Sequence, residues 1–362
     1  MVISPLNTKG MLLMEYYIGL DAHASTCTAV VVDEKGEQKL RATFPTTESN
    51  LVDFISKING VKHLTFEECT LAQWLYLTLI EEVDHLLVCN PVYVAKKQGA
   101  KTDYRDALHL AQELRTGHLK AVHHEKSHWI ELRVLTNNYL ALVDDIVRAK
   151  NRLKAVFRSE VIDTSSGQFY EDKGRAKVLK NPNSRFVAES LYDQVFSLEK
   201  LKSEYRAKFQ NNLKKYKPVK NLTTVPGIDL IRSSIIAAVV CTPQRFRNKH
   251  QFWGYCMLVR HIQMSGGKIY GNKRVHGRKE LRDIFLGAAE SALRTETSLR
   301  SFYDALRARG VDHKEAKIAV ARKIASLCLS LLKNNDTFRD NYDEQQKERV
   351  QLRKELNLES RI

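Results

Sequence analysis

Short apolar runs bounded by turns fill the first part of the chain. Residues 16–20, 28–32 and 38–46 are rich in apolar and β-branched side chains, and the turns between them carry Asp, Glu or Gly. Three strands joined by such short turns predict an antiparallel meander. Segments with helical spacing then alternate with further strand-like runs, and they are LVDFISKI, VKHLTFEE, LAQWLYLTLIEEV, HLLVCNP and DYRDALHLAQEL.

The resulting order of elements predicts a fold class. Strand-strand-strand-helix-strand-helix-strand-helix is the order of the ribonuclease H fold, so we expect a mixed α/β head over residues 15–126. A short apolar stretch precedes it, but Met14 directly before the first strand is a candidate true start, and residues 1–14 are a candidate disordered leader. The segment lacks the layout of a signal peptide.

Two long stretches in the middle of the chain repeat apolar residues at helical spacing. They predict two amphipathic helices within residues 127–220, forming an antiparallel pair, a dimer arm, or helices packed on the rest of the monomer. Residues 159–186 lack this periodicity and are expected to connect them. The repeating positions are Leu135, Tyr139, Leu142, Ile146, Ala149, Leu153 and Val156, then Val187, Leu191, Val195, Leu198, Tyr205 and Phe209.

The last third is expected to form a mostly helical domain over residues 221–335. LTTVPGIDLIRSSIIAAVV predicts two helices around a Pro-Gly turn, which is either plain architecture or a helix-hairpin-helix turn whose amides hold a phosphate. LRDIFLGAAESAL and AKIAVARKIASLCLSLL predict two more helices. Residues 336–362 are a charged, apolar-poor tail.

Charge is divided unevenly between the two halves. Residues 1–126 hold 13 basic and 16 acidic residues, whereas residues 127–362 hold 45 basic and 26 acidic ones. An acidic head on a body with a net charge of +19 indicates a polyanionic partner, although a basic, merely soluble protein is the alternative. No apolar run reaches the roughly 18 residues of a membrane span. The six cysteines show no CxxC spacing, so we expect reduced thiols and a cytoplasmic protein.

Four acidic residues of the head are candidate metal ligands. Asp21 ends the first strand, Glu67 ends the fourth, and Asp103 and Asp106 share one face at the start of a helix that Thr102 can cap. Glu68 is an alternative to Glu67. Clustered carboxylates raise one another's pKa unless a cation such as Mg²⁺ binds, and two such ions can promote phosphoryl transfer. Each acid taken alone also fits a turn or a helix start.

The loop QMSGGKIYGNKRVHGRKELR combines glycines with cations. Ser265 could attack a phosphodiester, but serine needs a base or a metal to become reactive, and an ordinary loop serine is the alternative. The cations next to it are expected to bind nucleic-acid backbone. They are Lys268, Lys273, Arg274, Arg278, Lys279 and Arg282.

Five motifs in order resemble one known family. YIGLDAH, LTFEECT, KTDYRDA, TTVPGI and QMSGGK, spread over residues 15–335, are similar to the insertion-sequence one-hundred-and-ten family of transposases and the related Piv-type invertases. Many members read Glu-x-Thr-Gly where this chain reads EECT, and we prefer Glu67 as the ligand because it directly follows the strand. The resemblance implies a RuvC-like domain with an Asp-Glu-Asp-Asp (DEDD) tetrad of Asp21, Glu67, Asp103 and Asp106.

The resemblance also implies a mechanism and partners. Ser265 would attack double-stranded DNA in a C-terminal transposase domain, leaving a serine-phosphate intermediate, with a divalent metal, Mg²⁺, at the tetrad. A noncoding bridge RNA would guide target choice, and a homo-oligomer, dimer or tetramer, would work at the bacterial nucleoid when active. The rival functions are a junction endonuclease that uses water, an actin-like-fold kinase suggested faintly by IGLDAHASTCTAVVVDEKG, and a non-catalytic DNA-binding role.

Overall fold

The computed structural model describes residues 14–94, 102–126, 129–165, 167–170 and 173–340. The chain divides into two compact units, residues 1–126 and 127–362. Of the candidate leader only Met14 lies among the described residues, and of the candidate tail only residues 336–340 do. No helix in the described ranges is long and apolar enough to cross a membrane.

The first unit is a five-stranded mixed sheet with helices on both faces. The strand order is β3-β2-β1-β4-β5, in which β1–β3 form an antiparallel meander and β4 and β5 run parallel to β1. This is the element order predicted from the sequence. The elements are β1 (Glu15–Ala22), β2 (Thr26–Asp33), β3 (Gln38–Pro45), α1 (Glu48–Ser56), β4 (Val61–Glu67), α2 (Ala72–Leu79), β5 (His85–Cys89) and α3 (Asp103–Arg115).

Strand alternation sorts the side chains of the sheet between two cores. On β1 and β4, Ile18, Leu20, Leu64 and Phe66 pack with α1 and α2 on one face. The odd-numbered positions of both strands therefore face the other side, where α3 packs on β1 and β2. Gly19 lies at the closest approach of β1 to α3 on that side.

The second unit is helical apart from one β-hairpin. The larger of its two apolar clusters contains residues from α4, α5, α7, α9 and α11, and a smaller one joins α4, α5 and the segment between them. The division into domains over residues 127–220 and 221–335 stays a prediction. The elements are α4 (Trp129–Arg158), α5 (Pro182–Lys215), α6 (Lys217–Leu222), α7 (Leu230–Val240), α8 (Lys249–Tyr255), β6 (Arg260–Ser265), β7 (Lys268–Arg274), α9 (Lys279–Ala292), α10 (Ser298–Ala308) and α11 (His313–Asn334). Helices α8 and α10 were not predicted from the sequence.

Helices α4 and α5 form an antiparallel pair within one chain. Lys150 contacts Glu199, whereas Lys215 contacts Glu131, so sequence numbers rise along one helix as they fall along the other. The seam predicted on α4 is buried at Tyr139, Leu142, Ile146, Ala149 and Leu153.

The seam predicted on α5 is buried at Val195 and Phe209, but its first position was wrong by one residue. Val187 is 43% exposed, and Ala188 and Tyr192 are buried in its place. Tyr192 packs with Phe157 and Phe169, and Phe169 belongs to the segment between the two helices. The aromatic cluster therefore sets the rotation of α5, which begins at Pro182 inside the predicted connection.

Candidate active site

Asp21 lies at the carboxyl end of β1 on the face that α3 covers. Asp21 stands two residues after Gly19, so both residues face the same side of the sheet. A Cβ atom built on Gly19 would lie 2.0 Å from the carbonyl oxygen of Ala107 and 2.5 Å from the amide nitrogen of Ala111. Only glycine permits this approach, so it fixes how α3 sits on the sheet. Two strand residues span about 6.6 Å, which matches the roughly 6 Å of four helical residues. Asp103 stands four residues, or about one turn, before Ala107, so it is brought level with Asp21.

Asp103 and Asp106 form the first turn of α3. The Thr102 hydroxyl accepts a hydrogen bond from the backbone N–H of Arg105 at 3.3 Å, as predicted for the helix cap. The carboxylates stand three residues apart and hence on one side of the helix. The side chain of Asp103 is 56% exposed, and Asp106 is half-buried.

Sheet parity distinguishes Glu67 from Glu68. Glu67 ends β4, and Leu20 of β1 pairs with Phe66 of β4, so Glu67 lies in register with Asp21 and faces the same side of the sheet. Glu68 follows with the opposite parity, and its carboxylate contacts Nε2 of His124 at 2.5 Å. The His124 side chain is almost completely buried. The preference for Glu67 as the candidate ligand therefore gains a geometric reason.

The environment of Asp21 penalises its negative charge. Burial raises the pKa of this carboxyl group above its usual value, and the nearby carboxylates of Asp103 and Asp106 raise it further. The imidazole of His23 opposes them and lowers the pKa. Nε2 of His23 lies 3.4 Å from Oδ2 of Asp21 and 3.7 Å from Oδ1 of Asp103. Two acids and one histidine thus influence the charge of this half-buried carboxyl group.

His23 was not predicted as a site residue. Ligand atoms of Asp21, His23 and Asp103 all lie within 4.8 Å of one another, and no other trio of this kind is as close in the described part of the chain. Asp106 and Glu67 stay outside this group. The available signal was the spacing in DAH, because a residue two positions after a strand-end aspartate can return to the same side.

This donor set fits a divalent cation. Carboxylate oxygens dominate it, as hard cations prefer, and a cation would relieve the repulsion that raises the pKa of Asp21. Asp21, Asp103 and, on the same face, Glu67 are the residues that could hold such an ion. The side chain of His23 is 57% exposed, and its Nε2 lies beside the carboxylate of Asp21.

Ser265 lies in the second unit, at the tip of a β-hairpin and not in a loop as predicted. It ends β6 and pairs across the hairpin with Lys268, which begins β7. Gly266 and Gly267 form the two-residue connection with φ values of 55° and 75°, a backbone conformation that favours glycine at both positions. The glycines of SGGK therefore build a tight turn that exposes the serine and the lysine side by side.

The candidate nucleic-acid-binding cations fall into two groups. Lys268 and Lys273 project from β7, and neither makes an ion pair within the described ranges. Arg278, Lys279 and Arg282 stand around the start of α9, where they pair with the acids of that helix. The backbone of Arg274 ends β7, but its side chain lies outside the described atoms.

The Pro-Gly turn serves the packing of the helices. Gly227 has a φ of 82°, and a Cβ atom there would lie 2.2 Å from the carbonyl oxygen of Ala288 in α9. The carbonyl oxygen of Gly227 accepts a hydrogen bond from Arg232 at 2.6 Å, and the amide of Ile228 donates to Val225. These contacts favour the architectural interpretation of the VPGI turn over phosphate binding.

Two family models match the chain, and both describe transposases. The first is the DEDD transposase domain and covers residues 18–161, including all four acidic candidates. The second is the transposase family IS116/IS110/IS902 and covers residues 219–304, including Ser265. The chain belongs to the IS110 family of transposases, as its motifs predicted. A DEDD domain implies a divalent metal, in agreement with the donor set at the sheet edge.

Individual relatives point to the same family. The putative transposase y4qE of Sinorhizobium fredii is 25% identical over 366 residues, covering 88% of this chain and 90% of the relative. An uncharacterized 43.6 kDa protein of insertion element IS110 from Streptomyces coelicolor is 24% identical, and the match spans 32% of this chain and 29% of that protein. An uncharacterized 42 kDa protein of IS900 from Mycobacterium paratuberculosis is 24% identical over 42% of this chain and 39% of its own length.

Proposed function

We propose that this protein cuts and rejoins DNA as the transposase of an insertion sequence. The observation that carries the proposal is the meeting of Asp21 and Asp103 at one sheet edge, in a chain whose other unit presents an exposed serine between cations. The family models give the reaction class, and the geometry suggests which residues perform it.

The first unit would be a ribonuclease H-like domain of the RuvC type. Its strand order and its helix α3, which brings carboxylates to the ends of β1 and β4, support this assignment. Acids from three separate chain segments on one face of the sheet would suit two-metal phosphoryl transfer.

The acids would hold Mg²⁺. Asp21, Glu67, Asp103 and Asp106 offer oxygen ligands, and the burial and neighbouring carboxylates that raise the pKa of Asp21 favour a cation beside it. A bound divalent ion supplies activation of an attacking oxygen and stabilisation of the leaving one. His23 would orient Asp21 and Asp103 from the solvent side, because its Nε2 reaches both.

Ser265 would act as the nucleophile on a DNA phosphate. Its Oγ forms a bond to phosphorus while the bond to the 3′ oxygen breaks, giving a 5′-phosphoserine and a free 3′-hydroxyl. The hydroxyl proton of Ser265 leaves to solvent, and a proton from solvent completes the 3′-hydroxyl. Attack of a 3′-hydroxyl on the phosphoserine rejoins the strands, so no ATP is needed because the covalent link keeps the phosphodiester energy.

The cations of the second unit would hold the DNA backbone. Lys268 stands directly across the hairpin from Ser265, at the distance at which cross-strand side chains interact, and could place its charge on the attacked phosphate. Lys273 and the cluster at Arg278, Lys279 and Arg282 would add contacts that position the duplex without reading its sequence.

Target choice by a bridge RNA and action as a dimer or tetramer complete the proposal. Both come from the family resemblance. Sequencing the nucleic acid that co-purifies with the protein, together with its mass in solution, tests them. A structured RNA encoded beside the gene supports guidance, and recovery of random host fragments alone opposes it.

Covalent trapping tests the serine. The full-length protein is incubated with Mg²⁺ and a plasmid that carries its gene and the native flanking DNA, and denatured samples are searched for protein–DNA adducts. We expect adducts with the wild type and with Ser203→Ala, which removes a remote exposed serine of α5, but none with Ser265→Ala. DNA binding should survive in all three. Adducts that persist in Ser265→Ala refute the assignment.

The Asp21→Asn variant tests the acids with the same plasmid. We expect strand cleavage to be lost while the circular dichroism spectrum and DNA binding stay unchanged, because the substitution keeps the shape of the side chain. Unchanged cleavage refutes the acidic site. Cleavage that needs Asp21 but never yields an adduct would instead establish water as the nucleophile, as in a junction endonuclease.

A further inference from the structure

The hairpin β6–β7 exposes an unusual amount of apolar side chain. Ile262 is 59% exposed, Met264 58%, Ile269 63% and Tyr270 68%. The hairpin forms a sheet of its own with only two strands, and no other described strand pairs with it. Four large exposed apolar side chains on so small an element form an apolar patch, and such patches mark interaction sites.

The register sorts these side chains onto separate faces. Met264 pairs with Ile269, and Ile262 stands two residues before Met264, so these three share one face. Ser265 pairs with Lys268 on the opposite face, where the alternating positions His261 and Lys273 follow. We call the first the wedge face (Ile262, Met264, Ile269). The wedge face also carries Asn272, which pairs with Ile262, and Arg260 nearer the base of the hairpin, so its apolar side chains lie toward the tip. The side of the candidate nucleophile is polar and cationic.

Tyr270 adds an aromatic ring beside the wedge face. The register shifts between Gln263 and Met264, which pair with Gly271 and Ile269, so Tyr270 is the unpaired extra residue of a β-bulge. A bulge changes the direction of a side chain relative to the regular pleat. The ring is therefore displayed near the tip of the hairpin.

The base of the hairpin is anchored firmly. Leu258 is buried before β6, and Val275 is buried after β7. The carbonyl oxygen of Leu258 accepts a hydrogen bond from Arg322 of α11 at 2.8 Å, and the amide of Arg278 donates to the carbonyl oxygen of Tyr255 at 2.8 Å. The exposed arm thus projects from a fixed base.

Charge identifies the partner of this arm. Residues 230–279 contain ten Lys and Arg and no Asp or Glu, and the hairpin lies within this range. An acid-free, cationic arm is complementary to a polyanion and repels other cationic surfaces. Ser265 and the wedge face lie on opposite faces of a hairpin that is only two strands wide. A hairpin seated in a DNA groove would therefore bring Ser265 to a backbone phosphate, as the proposed function requires, and the wedge face to the bases beside it.

We propose that the wedge face inserts at a base step of the DNA duplex and unstacks it, with Met264 and Ile269 as the inserting side chains. Proteins that bend DNA use Ile and Met in this way, offsetting the loss of stacking with apolar contact and a wrapped backbone. Pyrimidine–purine steps such as TA unstack most easily, whereas A-tracts are stiff. The inference rests on the proposed function, and it adds a position for DNA distortion beside the attacked phosphate.

Fluorescence of 2-aminopurine measures the insertion without cleavage. The full-length protein is titrated in EDTA into two short duplexes, one with the probe at a central TA step and one with the probe inside an A-tract. We expect the wild type to raise the fluorescence of the first duplex and to bind it about tenfold more tightly than the second, since a TA step costs less free energy to unstack than a step inside an A-tract. The second duplex should show no rise.

The test variant makes the wedge face polar without disturbing the strands. Met264→Gln with Ile269→Thr keeps side-chain length and β-branching, and both positions are exposed, so the fold should persist. We expect this double variant to lose the fluorescence rise and the tenfold preference but to keep its affinity for the A-tract duplex. The matched control, Val147→Thr with Leu201→Gln, alters two exposed apolar residues of α4 and α5 and should behave as the wild type.

Four outcomes overturn the inference. In the first two, the wild type shows no preference for the TA step, or the double variant keeps that preference. In the third, the oligomeric mass of the double variant falls, which makes the wedge face a contact between copies of the chain. In the fourth, an RNA duplex reproduces the preference. The proposed function is judged separately. Adducts at Ser265 with an unchanged TA preference in the double variant leave the function standing and overturn the wedge. A TA preference that the double variant loses, without any Ser265 adduct, refutes the serine mechanism and leaves the wedge standing.

Discussion

The contact between β1 and α3 predicts a severe effect of Gly19→Ala. The new Cβ atom would lie 2.0 Å from the carbonyl oxygen of Ala107, and such atoms are almost never found closer than 3.0 Å, so α3 must move away by about 1 Å. Overpacking of this kind costs about 1–3 kcal/mol. In a unit of this size the cost lowers the melting temperature by about 5–20 °C.

The same displacement should impair the candidate site. Asp103 and Asp106 belong to α3, whereas Asp21 and Glu67 belong to the sheet, so the distance between the two pairs of acids increases when the helix moves. A misplacement of about 1 Å can cost 10²-fold in rate. We therefore expect DNA cleavage to fall about 100-fold at a temperature where the variant remains folded.

Thermal unfolding and cleavage of the full-length protein measure both effects. Gly254→Ala is the matched control, because a Cβ atom there meets nothing within 4 Å and the residue lies in helix α8, where Ala is favoured over Gly. Normal melting and normal cleavage in Gly19→Ala would refute the packing of α3 described here. Lower stability with full cleavage would separate α3 from the site.

Three further predictions concern the charges of the site. Glu67→Gln should abolish Mg²⁺-dependent cleavage, whereas Glu68→Gln should retain most of it; the reverse result would assign the ligand to the other residue. Because the pKa of Asp21 is raised, the affinity for a divalent ion should begin to fall at a higher pH than it would for an ordinary aspartate. Without metal, the free energy of unfolding should decrease as the pH rises from the usual aspartate range through this raised pKa. Urea titrations of the wild type over pH, with a flat response in Asp21→Asn, check the sign. His23→Ala removes the group that lowers the pKa of Asp21, so the pH at which metal affinity is halved should move upward; an unchanged midpoint contradicts the role given to His23.

The sequence predicted the first unit well because its periodicities are strong and its elements are short. Each strand is bounded by turn residues, and Thr102 marks the start of α3. The acids follow from these elements, since Asp21 and Glu67 end strands that pair in register. His23 was not predicted because its role depends on the turn between β1 and β2, where its backbone carbonyl accepts a bond from the Thr46 hydroxyl.

The second unit was harder to predict where either of two neighbouring residues could begin a buried helix seam, or where one motif could adopt two backbone conformations. Val187 and Ala188 both suit a helix seam, and the ring of Phe169, which fixes the choice, comes from a segment without periodicity. SGGK suggested a glycine-rich loop, yet the same two glycines also build the tightest turn of a hairpin. Apolar positions such as Met264 and Ile269 alternate within it, but their exposure could not be read from the pattern.

Binding of Mn²⁺, a paramagnetic substitute for Mg²⁺, tests the central claim that the carboxylates at the ends of β1 and β4 and the start of α3 form one metal site. Electron paramagnetic resonance counts the free ion during titration of the full-length protein. We predict saturable binding that Asp21→Asn and Asp103→Asn each weaken strongly and that Glu68→Gln leaves intact. Equal Mn²⁺ binding by all of these proteins, or none by the wild type, would contradict the account.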